Sequence, residues 1–147
     1  MSWIRDIVTG LIEFYGTNDI FDLCDCLGIS IINKELKSKG SLFYRNQLGD
    51  EFIFIDPEVN QRDRKTMIAH ELGHAILHTD INFVFLNNGL IARCKWERQA
   101  NIFAAELLMF DVNKVDLMCE GLTLGELADN LEVSESVIEY RLQRHTS

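Results

Sequence analysis

Residues Met67-Ile68-Ala69-His70-Glu71-Leu72-Gly73-His74-Ala75-Ile76-Leu77-His78 decide the reading of this chain. Ile68, Leu72, Ala75 and Ile76 recur at helical spacing, so the segment is expected to be a helix with one buried face. Residues four apart on a helix lie on the same face, one turn from each other. His70 and His74 have that spacing, and two imidazoles so placed can share one metal ion. Glu71 projects beside the same ion and is the candidate general base toward a water held there. A zinc ion lowers the pKa of such a water to about 7, which makes hydroxide available at neutral pH. Gly73 is costly in mid-helix, by about 1 kcal/mol relative to alanine. Its presence predicts that another backbone passes close by.

A two-histidine site needs a third protein ligand. His78 lies two turns beyond His70, about 12 Å along a continuous helix. No glycine lets the chain fold back between His74 and His78, so His78 is read as a helix-end residue facing the C-terminal dipole. Glu97 is the better candidate. It opens Glu97-Arg98-Gln99-Ala100-Asn101-Ile102-Phe103-Ala104-Ala105-Glu106-Leu107-Leu108-Met109, where Glu97, Asn101, Ala104 and Leu108 share one helical stripe. Ala104 and Ala105 would let this helix approach the first one closely. Asn101, one turn from Glu97, is placed to hydrogen-bond a ligand and fix its orientation. Taken without the surrounding pattern, Glu97 reads as an exposed helical carboxylate, and Glu106 is read as solvated surface.

The run from Arg64 to His78, followed by Glu97-x-x-Ala100-Asn101-x-Phe103-Ala104-Ala105-x-Leu107-Leu108-Met109, resembles the ImmA/IrrE family of metallopeptidases. The likeness extends upstream through Leu27-Gly28-Ile29 and Ile53-Phe54-Ile55-Asp56, and so covers most of the chain. The resemblance implies an α+β, zincin-like metallopeptidase domain with an HExxH helix and a small antiparallel or mixed sheet. It implies one zinc ion, His70, His74 and Glu97 as its ligands, and Glu71 as the catalytic base. Phe110 stands where the family usually has proline, and Gln99 where many relatives have a second acid. Family members in phages and mobile elements are similar to anti-repressors, which cleave a helix-turn-helix repressor and release its genes.

The 147 residues are read as one domain, 47% hydrophobic and 25% charged, as is ordinary for a globular protein. No apolar stretch reaches the roughly 18 residues that would span a membrane. Met1-Ser2-Trp3-Ile4-Arg5-Asp6 does not read as a signal peptide, so a cytoplasmic location is expected. The net charge of −9 argues against direct nucleic-acid binding, which needs a basic face, and is compatible with a basic protein partner. Cys24, Cys26, Cys94 and Cys119 form no CxxC pair and are expected to be free thiols, with Cys94 buried.

Trp3, Ile4, Ile7, Val8, Leu11, Ile12 and Tyr15 predict a first amphipathic helix. Asn18 or Asp19 caps a second helix, and Gly28 ends it. Ile29–Ile32, Ser41–Arg45 and Glu51–Ile55 read as strands, the last two joined through Gly49-Asp50 as a hairpin that Pro57 terminates. A polar stretch from Asn60 to Lys65 leads into the His70 helix. Phe83–Leu86 is a possible strand and Asn87-Asn88-Gly89 a turn. The C-terminal part, residues 121–147, reads as a helical pair joined by Leu131-Glu132-Val133-Ser134, half of a helix-turn-helix. From Asp111 to Ser147 there are eight acids and three Lys or Arg, a balance of −5. Phosphate would repel that pair, so its expected role is packing or partner docking.

The expected function is endoproteolysis of a peptide bond, with a DNA-binding repressor as protein substrate. Tyr44 and Arg64 are candidates for stabilising the oxyanion, though each reads more readily as a structural residue. The rival reading is a non-catalytic regulator whose metal only staples the domain. An intact Glu71 weighs against it, since a structural site needs no base.

Overall fold

The computed structural model describes residues 2–78, 90–119 and 121–143. The expected strand at Phe83–Leu86 and turn at Asn87–Gly89 lie outside them. Helices α1 (Ser2–Tyr15) and α2 (Ile20–Cys26) come first, then strands β1 (Ile29–Asn33), β2 (Ser41–Arg45) and β3 (Glu51–Ile55). Among the described residues there follow helices α3 (Gln61–Leu77), α4 (Leu90–Leu108), α5 (Lys114–Cys119), α6 (Leu124–Leu131) and α7 (Glu135–Gln143). The class is α+β, as expected.

The strands form one mixed sheet in the order β1-β3-β2, with β1 parallel and β2 antiparallel to the central β3. Alternation along β3 explains its two faces. Ile53 and Ile55 are fully buried against the helices. Phe52 and Phe54 project the other way, where Tyr44 of β2 lies 6.4 and 6.1 Å from their rings. Strand β2 is left as an edge, and that edge faces α3.

Local signals in the sequence explain the boundaries. Asp19 caps α2 by accepting from the Asp22 backbone N–H at 2.9 Å, and Gly28 follows in the left-handed region at φ +73°. Asn60 caps α3 by accepting from the Asp63 N–H at 2.9 Å. The polar stretch expected to precede α3 therefore forms its first turns, because α3 starts at Gln61. Likewise α4 begins at Leu90, seven residues before Glu97. Thr123 and Glu126 form a reciprocal capping box at the start of α6.

Helices α3 and α4 are the spine of the molecule, and they cross at Gly73. A Cβ built on Gly73 would lie 3.1 Å from Phe103 Cβ and 3.2 Å from both the Cα and the carbonyl oxygen of Ala100. The close backbone predicted from this glycine is thus α4, and the contact falls at Ala100 rather than at Ala104 or Ala105. Ala104 joins the main core with Ile4, Leu23, Ile53, Ile68, Leu72 and Phe103. Ala105 faces a second cluster with Met109, Leu127, Val133, Val137 and Ile138.

That second cluster accounts for the C-terminal pair. Ser134, in the turn between α6 and α7, donates its hydroxyl to Asp63 at 2.7 Å and its N–H to Thr66 Oγ1 at 3.0 Å, both on α3. The pair is packed into the protein through the faces of Val133, Val137 and Ile138. It also corrects the reading of Glu106, which is buried, accepts from Tyr140 Oη at 2.9 Å and lies 3.6 Å from the Arg5 guanidinium. Helices α1 and α7 cover that face of α4, which no periodicity within α4 reveals. Cys94 is exposed, contrary to expectation, because the first turns of α4 run ahead of the crossing. Cys24 and Cys26 are free thiols, the first buried and the second exposed. Among the described residues no helix is long and apolar enough to cross a membrane.

Candidate metal centre

The crossing of α3 and α4 brings His70, His74 and Glu97 together. His70 Nε2 lies 3.0 Å from Glu97 Oε2, His74 Nε2 lies 2.8 Å from Glu97 Oε1, and the two Nε2 atoms are 3.1 Å apart. All three ligand atoms fall within 4.8 Å of one another. A tetrahedral shell with bonds near 2.0–2.1 Å separates its donor atoms by about 3.3 Å. The observed triangle therefore needs only a few tenths of an ångström of adjustment to hold a cation. Its donor chemistry, two imidazoles and a carboxylate, suits a borderline-soft divalent metal.

Each histidine has its other ring nitrogen occupied, which aims Nε2 at the centre. His70 Nδ1 is 2.7 Å from Asn101 Oδ1, an acceptor, so Nδ1 carries the proton and Nε2 is left with its lone pair. His74 Nδ1 is 3.0 Å from His78 Nδ1, and His78 Nε2 is 2.8 Å from Gln99 Oε1. The Gln99 oxygen can only accept, so His78 donates from Nε2 and accepts on Nδ1 from His74. This again leaves His74 Nε2 free to bind. Burial favours the neutral form of His78 and lowers its pKa against the opposing bond to Gln99. His78 also closes α3 as its C-cap residue. It is a helix-end residue as expected, with a role toward His74 that spacing alone did not suggest.

Charge favours a cation at the same point. When Nε2 also carries a proton, hydrogen bonds from His70 and then His74 hold the Glu97 carboxyl well below the ordinary carboxylate range, against the cost of its partial burial. Burial disfavours charge on His70, yet its bond to Glu97, the nearby charges of Glu71 and Glu97, and the bond to Asn101 together raise its pKa. A proton and a metal ion thus compete for one set of lone pairs.

Glu71 is 8% exposed and is gripped from the sheet edge. Ser41 Oγ donates to its Oε1 at 3.0 Å and the Phe43 backbone N–H donates to its Oε2 at 3.0 Å. Both donors lie on β2, whose alternate N–H groups point away from β3. Sequence reasoning missed both, along with Gln99 and the role of His78. No motif marks Ser41, and a backbone N–H carries no side-chain signal at all. The two oxyanion candidates are elsewhere. Tyr44 lies on the outer face of the sheet, and the Arg64 guanidinium donates to Asn33 Oδ1.

The sequence pattern of the IrrE N-terminal-like domain, of the M78 peptidase family, matches residues 24–143. The chain is similar to metallopeptidase ImmA of Bacillus subtilis (strain 168), at 30% identity over 144 residues that make up 96% of this chain and 85% of that protein. It is also similar to the uncharacterized immunity region protein 2 of Bacillus phage phi105, at 35% identity over 109 residues, 74% of this chain and 69% of that protein.

Proposed function

Since this chain belongs to the IrrE N-terminal-like family of M78 peptidases, we propose that it is a zinc-dependent endopeptidase directed at one protein substrate, a helix-turn-helix repressor of a phage or mobile element. The observation that carries this reading is the triangle of His70, His74 and Glu97 with a buried carboxylate, Glu71, beside it. His70, His74 and Glu97 would hold zinc, which when bound supplies a Lewis acid that activates water and polarises a carbonyl. Glu71 takes the proton of the attacking water and returns it to the leaving amine. Ser41 and the Phe43 N–H hold that carboxylate in a fixed position at the sheet edge, close enough for its charge to act on His70. Asn101, and His78 backed by Gln99, keep both imidazoles in the binding tautomer.

Access supports a catalytic rather than a structural site. The Glu97 side chain is 46% exposed and that of His70 17% exposed, so solvent and a peptide reach the centre, whereas structural zinc sites are closed. The repressor as substrate rests on the family resemblance and on the immunity-region name of the phage relative. The test is metal analysis of the purified protein together with incubation of the zinc-loaded protein with the repressor encoded beside its gene. One zinc per chain and cleavage at a single site are expected, and Glu71→Gln should retain the metal while losing cleavage. A Glu71→Gln protein that cleaves as fast as the parent would falsify the mechanism. Digestion of unfolded proteins with the repressor untouched would overturn the substrate.

A further inference from the structure

Strand β1 is the second edge of the sheet, and among the described residues no strand pairs with its outer side. The Lys34 N–H bonds to the Ile55 carbonyl at 3.0 Å. Backbone groups alternate along a strand, so those of Ile32 and Ser30 face β3 as well. The N–H and carbonyl groups of Ile29, Ile31 and Asn33 point outward. Such an edge is a template for pairing, and proteins usually blunt it with charge, proline or a bulge. Ile29-Ser30-Ile31-Ile32-Asn33 has no charge and no proline, and its register with β3 is unbroken. The opposite edge, on β2, is covered, since the Phe43 N–H ends on Glu71.

Beside the β1 edge lies an open groove of about 420 Å³, between Ile29, Ser30 and Ile31 on one side and Phe21, Asp22 and Asp25 of α2 on the other. The three α2 residues are exposed. The two ends of the edge therefore differ in charge. Asp22 and Asp25 flank the start of β1, whereas Lys34 follows its end and the Arg64 guanidinium donates to Asn33. Parallel pairing of two copies would set like charges together. Antiparallel pairing brings the acidic end of one copy to the basic end of the other.

The backbone matches itself in that same orientation. Opposed residues of an antiparallel pair can exchange both N–H···O bonds. With Ile31 opposite Ile31 of the second copy, Ile29 falls opposite Asn33, and every outward group of the strand finds a partner. Lys34 then lies opposite Gly28, whose N–H bonds to the Asp25 carbonyl at 3.1 Å.

We propose that β1 is a self-association edge, on which a second copy of this chain pairs antiparallel across a two-fold axis at Ile31 and joins two three-stranded sheets into one of six strands. The interface is isologous, as a two-fold dimer requires. A second copy fits this edge better than an unrelated basic strand because one register satisfies both the backbone and the charges. No residue of the metal centre takes part, so the pairing stands whether or not the chain is a peptidase. Repulsion between chains of net charge −9 opposes it, but is screened beyond about 8 Å at physiological salt.

The test is sedimentation of the full chain at physiological salt, up to about 200 μM, where even a Kd of about 100 μM populates the dimer. A monomer–dimer equilibrium is expected, with hydrogen exchange slowing at the Ile29, Ile31 and Asn33 amides as the dimer forms. Asp25→Lys and Lys34→Glu should each weaken the dimer by about tenfold, because the two-fold axis repeats each altered contact. Both changes in one chain should restore it. Ile31→Pro should abolish the dimer, since it removes an outward N–H that the sheet itself does not use. Circular dichroism checks the fold, and if Ile31→Pro does not fold, the charge variants at exposed positions decide. A dimer that none of these changes weakens, or single charge effects that add in the double variant, would overturn the proposal. A chain that stays monomeric would also overturn it, and protection of the same amides by an alternating lysine-valine peptide would then assign the edge to a basic segment of another protein.

Discussion

His78 shows how a residue's neighbours set its role. Its bond to His74 Nδ1 at 3.0 Å fixes which nitrogen of a candidate ligand is free, and Gln99 fixes His78 in turn at 2.8 Å. Losing such outer partners typically costs ten- to a hundredfold in metal affinity. His78→Ala is therefore expected to weaken zinc binding by about that factor, read by competition with a chelator, while circular dichroism stays unchanged. Unaltered affinity would mean that His74 holds its tautomer without help. The residues of the site differ in how they could be found. His70, Glu71 and His74 announce themselves by spacing on one helix. Glu97 needed the surrounding pattern to stand out from any exposed helical glutamate. Ser41 is 30 residues from the carboxylate it holds, and nothing local connects them.

At the level of elements, the α3–α4 crossing is what assembles the centre, and Gly73 sets its distance. Gly73→Ala gains helix propensity of up to about 1 kcal/mol. Against that, the new methyl meets Ala100 backbone at 3.2 Å, which cannot rotate away as a side-chain tip can. Overpacking of this kind costs about 1–3 kcal/mol. The balance predicts a melting temperature lower by roughly 2–5 °C, together with weaker zinc binding as Glu97 moves outward. A rise in melting temperature would show that the helices separate freely. A second joint is Asp56, buried at the end of β3. It accepts from the Leu36 N–H at 2.7 Å and the Glu58 N–H at 2.9 Å, tying the β1–β2 connection to the turn before α3. Those two bonds lower its pKa. A lowered folded pKa means that the stabilisation is present above the unfolded value, near 3.9, and is lost as the pH falls through the folded value. Asp56→Asn should therefore melt below the parent at about pH 6, with the gap closing toward about pH 3. A gap that does not depend on pH would assign the effect to packing instead of charge.

At the scale of the whole molecule, a net charge of −9 would draw a basic DNA-binding protein toward the cleft. Association with the proposed repressor substrate should then weaken as salt rises, since the Debye length shrinks from about 10 Å at 0.1 M to about 3 Å at 1 M. Kinetics at two ionic strengths would measure this, and a rate that salt leaves unchanged would exclude steering. Removing α6 and α7 is a poor way to test docking, because Val133, Val137 and Ile138 complete a core cluster with Ala105 and Met109. The sequence by itself pointed to the His70-Glu71-His74 constellation, the hairpin, the cap of α2 and a close backbone at Gly73. Each is written in local spacing or in the demands of one backbone position. Only the tertiary structure decided that β1 lies parallel beside β3, that Glu106 is buried, and that β2 holds Glu71. These depend on which faces meet among elements distant in the chain, and the periodicity of one element does not say what covers it.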